Sequence, residues 1–484
     1  HDESYLGRVR YNYNQRYFGE VSIREAGTSR FAKGNRWGTF WSIGASWVIS
    51  KEKFMQDLVW LDYLKLRTAY GSVGNCMSAS FYSYWPLYSP ASPYDGAYAL
   101  IPSQLASNNV RWEATKTFDL ALEGSLFNDR LGFTIGYFNK RNSDLLFNVT
   151  QAASTGMIGN TGTNSTILTN IGTMENQGVE IALNGDIFRT RDFVWSVSFD
   201  LTSYKNKVLK LPNHRNIYGG SAIQTEGQPM YAYFLYPWAG VDQMTGKSLY
   251  EIDKTSYDFY RYDANGNFVF NEDEYNSRIN NAREEDALVE YNGKLYTTKP
   301  QYSGRKVSGT SIPTAYGSFG TQLSWKGINF SALFTYGIGG KTLDSVYAGF
   351  MSVGDNPMAI AEDMLNSWQG APEGMTADSP NRIDPNAIPQ ANTYDYADNN
   401  ASNSTRFLTS SNYLVFKNLN ISYDLPMKWV SALKLQNINI GVSIDNLFTK
   451  TARTGMNPQQ SYSGSQTISY VTPRVFSFQL SARF

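Results

Sequence analysis

Hydrophobic and polar residues alternate one by one over segment after segment of this chain. Near the C-terminus Phe476, Phe478, Leu480, Ala482 and Phe484 are apolar, and Ser477, Gln479, Ser481 and Arg483 lie between them. Successive strand residues point to opposite faces, so this stretch predicts a strand with one apolar and one wet face. The same period runs through Phe193, Trp195, Val197, Phe199 and Leu201, through Leu131, Phe133, Ile135 and Tyr137, and through Ile438, Ile440, Val442 and Ile444. A sandwich would pack its apolar set inward and turn its polar set to bulk water. Here the intervening set is rich in Gly and Ser (Gly132, Gly136, Ser196, Ser198, Gly441, Ser443), which suits a crowded polar lumen. Phe484, an aromatic carrying the terminal carboxylate, suits a membrane–water boundary, where amphipathic aromatics collect.

The predicted connections are of two kinds. Short ones fall at Asn14-Gln15, Asn128-Asp129, 189–192, Lys326-Gly327 and 426–433. Long polar ones fall near 75–109, 148–172, 207–228, 258–312, 340–406 and 449–469. Counted back from Phe484, short and long alternate through about fifteen strands, provided that 242–246 is a hairpin with a strand on each side. This layout predicts an all-β fold, a transmembrane antiparallel β-barrel with short periplasmic turns and long extracellular loops. Loops of this length would be anomalous in a compact soluble domain. Strand parity places residue 1 in an extracellular connection.

Composition narrows the picture. Tyr, Phe and Trp number 34, 27 and 11, or 15% of the 484 residues, a mix suited to strands and turns. Basic and acidic residues balance at 42 each, so no nucleic acid or other polyanion is indicated as a partner. Cys76 is the one cysteine, which excludes an internal disulfide framework. The two histidines, His1 and His214, leave little for His-based catalysis or zinc. No run approaches the roughly 18–20 apolar residues of a membrane helix, as expected where each strand gives half its residues to lipid. With His at position 1 and no signal peptide, the N-terminus reads as a processed or cut end.

Several segments resemble the SusC/RagA-type TonB-dependent outer-membrane transporters of Bacteroidetes. They are the stretch 6–50, LKLRTAYGSVGN (64–75), VRWEATKTFDLALEGSLFNDRLGFTIGYFNKRNSDLL (110–146), GTMENQGVEIAL (172–183), YLVFKNLNISYDLP (413–426), VSIDNLFT (442–449) and the closing Phe484. In the fourth, Gly178 leaves room on a strand and Glu180 points to the polar face. The resemblance implies a multi-pass protein of the outer membrane, in contact with its lipid. It also implies a SusD-like surface lipoprotein over the extracellular loops, and a TonB-type energy-coupling protein acting on a plug. The family's plug and first strands have no counterpart in residues 1–484. For a barrel of about 22 strands, residues 1–484 are therefore expected to be its C-terminal part, closed by about seven strands from another chain or an upstream segment.

Candidate chemistry is sparse. Asp263, Asn265, Asn267, Asn271 and Glu274 have the spacing of a calcium loop, but Phe268 stands where the sharp turn needs Gly, so a polar turn at Asn265-Gly266 is expected and no metal. The acidic runs 271–274 and 283–286 read as solvated loop surface, not as a catalytic carboxylate pair. No catalytic residue and no cofactor is expected. Candidate substrate contacts are loop aromatics, suited to stacking on sugar rings or peptide side chains: Tyr82, Tyr84, Trp85, Tyr88, Tyr94 and Tyr98 in 81–98, and Tyr231 and Trp238 in 230–238. The expected function is import of oligosaccharides or oligopeptides. The alternatives are a non-transporting barrel that scaffolds other surface proteins and a soluble β-rich binding protein.

Overall fold

The computed structural model describes residues 1–90, 100–150, 166–354, 359–460, 464–466, 468 and 470–484. One antiparallel sheet dominates it, with thirteen strands paired in chain order. They are β1 (Asp2–Tyr13), β2 (Tyr17–Thr28), β3 (Trp37–Val48), β4 (Leu61–Asn75), β5 (Glu113–Leu126), β6 (Leu131–Thr150), β7 (Thr166–Arg189), β8 (Phe193–Lys210), β9 (Ala315–Trp325), β10 (Ile328–Ile338), β11 (Tyr413–Asp424), β12 (Asn437–Thr451) and β13 (Val475–Arg483). Among the described residues no helix is long and apolar enough to cross a membrane, which says nothing against crossing with strands.

Register converts the alternation of each strand into two faces. Phe188, Trp195, Leu323, Phe330, Ile421, Val442 and Phe478 form one row across seven strands. The adjacent row on the other face is Asp186, Ser196, Gln322, Ser331, Asn420, Ser443 and Ser477. The apolar row is open to the surroundings, with Ile421 47% and Phe478 83% exposed. An apolar face this extensive is an aggregation surface in water and a matched one in lipid.

The ends of the strands differ as expected. At the short-turn rim, Asn14 and Gln15 both take positive φ (52° and 53°), the geometry of a tight hairpin turn. Tyr13, Tyr17 and Trp47 follow one another around this rim with ring centroids 6.4 Å apart. Glu52 accepts from the Tyr17 hydroxyl at 2.6 Å and from Trp47 Nε1 at 3.0 Å, satisfying their polar tips where lipid meets water. Gln436 N donates to Arg483 O at 2.7 Å, so β13 ends beside the β11–β12 connection. Gly327 O accepts from Asp424 N at 2.8 Å, which places the Lys326-Gly327 turn on the same rim.

The sheet has thirteen strands, not fifteen. The hairpin at 242–246 does form, Trp238–Asp242 against Ser248–Ile252, but inside the long connection 211–314 and in a separate five-stranded sheet. Its strands have 5 residues each, against the roughly 9–11 that a crossing needs. Successive residues Ser248, Leu249 and Tyr250 are all buried, so both faces of the hairpin are covered by protein. The loops expected at 207–228 and 258–312 thus merge into one. The two ends of the loop expected at 148–172 are ladder, with Leu145 to Thr150 paired to Gly172 to Thr166, and 151–165 lie outside the described residues.

The long loops fold into two bodies. One centres on Phe31, Cys76, Ala79 and Val110, backed by Trp112, Leu146 and Leu168. The other joins 211–314 to 339–412. Val241 and Asp242 pair with Asp384 and Ile383, and Tyr233, Leu235, Leu343, Met351 and Phe407 share a buried cluster.

Candidate functional site at the lumen mouth

Along most of its height the polar face is built of small and hydrophilic side chains. Its β1–β5 sector carries charges held in pairs, Glu20 with Arg8 and Arg10, and Glu123 with Lys65 and Arg67. The β8–β13 sector is mostly hydroxyl and amide. Its carboxylates accept hydrogen bonds: Asp200 from Ser318 Oγ at 2.8 Å, and Asp424 from Asn439 Nδ2 at 2.8 Å and Asn329 Nδ2 at 3.1 Å.

Toward the loops this face changes character. Thr202, Tyr316, Gly337 and Tyr413 form one row. Phe138, Gly178 and Tyr204 form another. Each row has a glycine beside aromatics, and the spacing explains why. A Cβ on Gly337 would come within 2.5 Å of Tyr413 Cε1; one on Gly178 would come within 2.6 Å of Tyr204 Cβ and 2.9 Å of Phe138 Cζ. The bare glycines leave the rings room to lie across neighbouring strands. Tyr204 and Tyr316 meet at 90° with centroids 6.2 Å apart. Tyr204, Tyr316, Tyr413, Lys341, Thr342 and Gln459 line a cavity of about 350 Å³ there. Lys341 Nζ donates to Ser308 O at 3.4 Å, and Thr342 Oγ1 to Gly464 O at 2.9 Å.

Among the described residues, the aromatics expected as substrate contacts fall on two separate loop connections. Tyr82, Trp85 and Tyr88 are 64%, 53% and 63% exposed on the 76–112 connection, with Tyr84 and Trp85 in ring contact at 5.6 Å. Gln104 Nε2 donates to the carbonyls of Tyr82, Ser83 and Trp85, fixing this turn. Tyr94 and Tyr98 lie outside the described residues. Trp238 is a packing residue of the other loop body: Nε1 donates to Ser248 Oγ at 3.2 Å, and the Arg406 guanidinium lies 5.7 Å from its ring. Burial lowers that guanidinium to a pKa of about 10. Tyr231 is half-buried, its carbonyl accepting from Ser311 N at 3.3 Å, one residue removed from the tyrosine cavity that Ser311 lines. The tyrosines of the mouth are hard to tell from wall residues in the sequence because they sit inside strands. The available signal was an aromatic on the polar parity of an otherwise Ser, Thr and Gly set, as in Tyr316-Ser318-Gly320-Gln322.

The calcium-like spacing is a turn. Asp263 Oδ1 accepts from the backbone N–H of Asn265 (2.9 Å) and Asn267 (2.8 Å), and Asn271 caps the helix Glu272–Glu284. These bonds hold the Asp263 carboxyl below the usual range. Among the described residues no group of three or more His, Cys, Asp or Glu is placed to hold a metal. The acidic runs lie on and beyond that helix, with Glu274 paired to Arg278 and Glu285 to Lys299.

An amphipathic sheet with a lipid face, a polar lumen face, tight turns at one rim and folded loops at the other is the wall of an outer-membrane β-barrel. The chain belongs to the TonB dependent receptor-like, beta-barrel family, whose model matches residues 4–281. It is 27% identical to TonB-dependent receptor P39 of Formosa agariphila over 473 residues, 94% of this chain and 43% of that protein. To TonB-dependent receptor SusC of Bacteroides thetaiotaomicron it is 35% identical over 215 residues, 43% of this chain and 21% of SusC. The solved structure of the RagAB peptide transporter superposes with a TM-score of 0.76 at 22% identity, covering 100% of this chain and 48% of that one. The barrel is therefore that of a TonB-dependent receptor of the outer membrane, with sequence similarity to SusC and the fold of the RagAB barrel. The chain spans less than half the length of these relatives.

Proposed function

We propose that this chain is the C-terminal part of the barrel of an outer-membrane importer that takes up oligosaccharides or oligopeptides. The observation that carries this reading is the polar lumen face, which leads from an aromatic mouth beneath the loops to the short-turn rim. In the described residues β1 pairs only with β2 and β13 only with β12. Unpaired strand edges cannot face lipid, which supports closure of the wall by about nine further strands if the barrel has about 22. A plug-bearing part, a TonB-type coupling protein acting on it and a SusD-like lipoprotein over the loops complete the proposed machine. The relatives' description as TonB-dependent receptors supports the coupling protein, and that of RagAB as a peptide transporter supports import.

The test is uptake of labelled oligosaccharide and hexapeptide mixtures by cells making the full-length protein, with and without an energised inner membrane. Energy-dependent uptake of either mixture supports import. Binding of surface proteins without uptake of either would establish the scaffold reading instead.

A further inference from the structure

The geometry assigns Tyr204, Tyr316 and Tyr413 to a stacking subsite that receives one sugar ring of an uncharged oligosaccharide. This rests on the importer reading and narrows it to a place and a ligand chemistry. Five observations point there.

Gly337, between Tyr316 and Tyr413 in the row, allows the Tyr413 ring to lie over the strand. Tyr204 stands perpendicular to Tyr316, so these two rings form a corner, and the Tyr413 ring lies over Gly337 on the strand beyond. A pyranose has an apolar C–H face and a rim of hydroxyls; its face suits the rings, and the rim suits Thr342, Ser411 and Gln459 around the same cavity.

The surrounding backbone offers little to a peptide. Residues 202, 316, 337 and 413 are all engaged in the β8–β9–β10–β11 ladder, so no strand edge is open for main-chain pairing. Among the lining residues Lys341 carries the charge, and its ammonium is already engaged by Ser308 O at 3.4 Å, while the rest of the lining is uncharged.

The experiment uses the purified full-length protein in detergent and titration calorimetry. The probes are uncharged hexasaccharides of glucose, mannose, galactose and xylose in α and β linkage, a hexagalacturonate and a random hexapeptide mixture. At least one uncharged hexasaccharide is expected to bind. Tyr316→Ala and Tyr413→Ala should each weaken it at least about fivefold, Tyr316→Phe should stay within about twofold, and Trp429→Ala, on the short-turn rim, should leave it unchanged. Heat-modified migration on gels confirms that each variant barrel is folded, and retained binding in Tyr316→Phe separates loss of the ring from loss of the fold.

Binding of hexagalacturonate or peptides alone, no binding of any probe, or equal affinity in Tyr316→Ala and Tyr413→Ala would overturn the subsite. Energised uptake is measured on the same variants. Peptide uptake that is insensitive to Tyr316→Ala removes the subsite and leaves the importer standing, whereas absence of all uptake removes the importer itself.

Discussion

Asp242 and Arg382, 140 residues apart, form a buried bidentate ion pair: Nε lies 3.2 Å from Oδ1 and Nη2 3.2 Å from Oδ2. Asp242 is fully buried, and its side chain also accepts from Met244 N at 3.1 Å. The pair fastens the 242–246 turn of one long connection to the short strand Ile383–Asp384 of another. Arg382→Met leaves a carboxylate without its cation in a dry site, a change that costs about 3–5 kcal/mol. Hydrogen exchange on the full-length protein should show faster exchange in 238–252 and 380–385 and unchanged protection in β8 to β11. Unchanged exchange in those loops would show that the pair is dispensable.

The two faces of the wall differ in their tolerance of charge. Ile421→Arg places a guanidinium among lipid tails and should cost about 2–4 kcal/mol near mid-membrane. Asn420→Arg, one residue away on the polar face, should cost less than about 1 kcal/mol. Urea unfolding of the full-length protein in lipid vesicles measures both. Equal costs would refute the assignment of faces.

Gly178 cannot accept a side chain cheaply. A Cβ there would lie 2.4 Å from Ser203 O as well as close to the Tyr204 and Phe138 side chains. Gly178→Val should destabilise by about 1–3 kcal/mol through overpacking, read as a lower urea midpoint. Gly185→Ala, where the nearest atoms would be 3.5 Å away, serves as the tolerated control.

The loop body carries an acid-sensitive clasp. Burial pushes the Asp253 carboxyl up, but the Lys306 ammonium and the Thr255 N–H more than offset this and leave it below its usual 3.8. A carboxyl depressed in the folded state stabilises above its unfolded value, and that contribution is lost as pH falls through the folded one. Protease cleavage within 253–310 should therefore accelerate on going from pH 5 to pH 3. In Lys306→Met, cleavage should already be faster at pH 5 and should change less with pH.

Much of the wall could be read from the chain because each crossing strand writes its two faces in a period of two, as in Phe193 to Leu201 and Ile438 to Ile444. The loops obey no such period. Ala232–Leu235 and Ser248–Ile252 bury both faces, so the apolar run there gives no sign of which side is lipid, and by sequence alone the hairpin reads as part of the wall. The mouth was harder still. Tyr316 and Tyr413 are 97 residues apart by number and meet only through their shared neighbour Gly337, a juxtaposition fixed by register. Exposed Tyr82 and Trp85 are the more conspicuous aromatics in the sequence, yet they lie on the other loop body.

The pairing of Val241 with Asp384 also constrains the order in which the molecule is built. The chain between them contains the whole β9–β10 hairpin, down through the membrane at Ala315–Trp325 and back at Ile328–Ile338. The small sheet on the cell surface therefore cannot be completed until that hairpin has crossed. Joining segments so far apart in the chain costs loop-closure entropy, so protection of 238–252 is expected to develop after that of β9 and β10 in a refolding experiment.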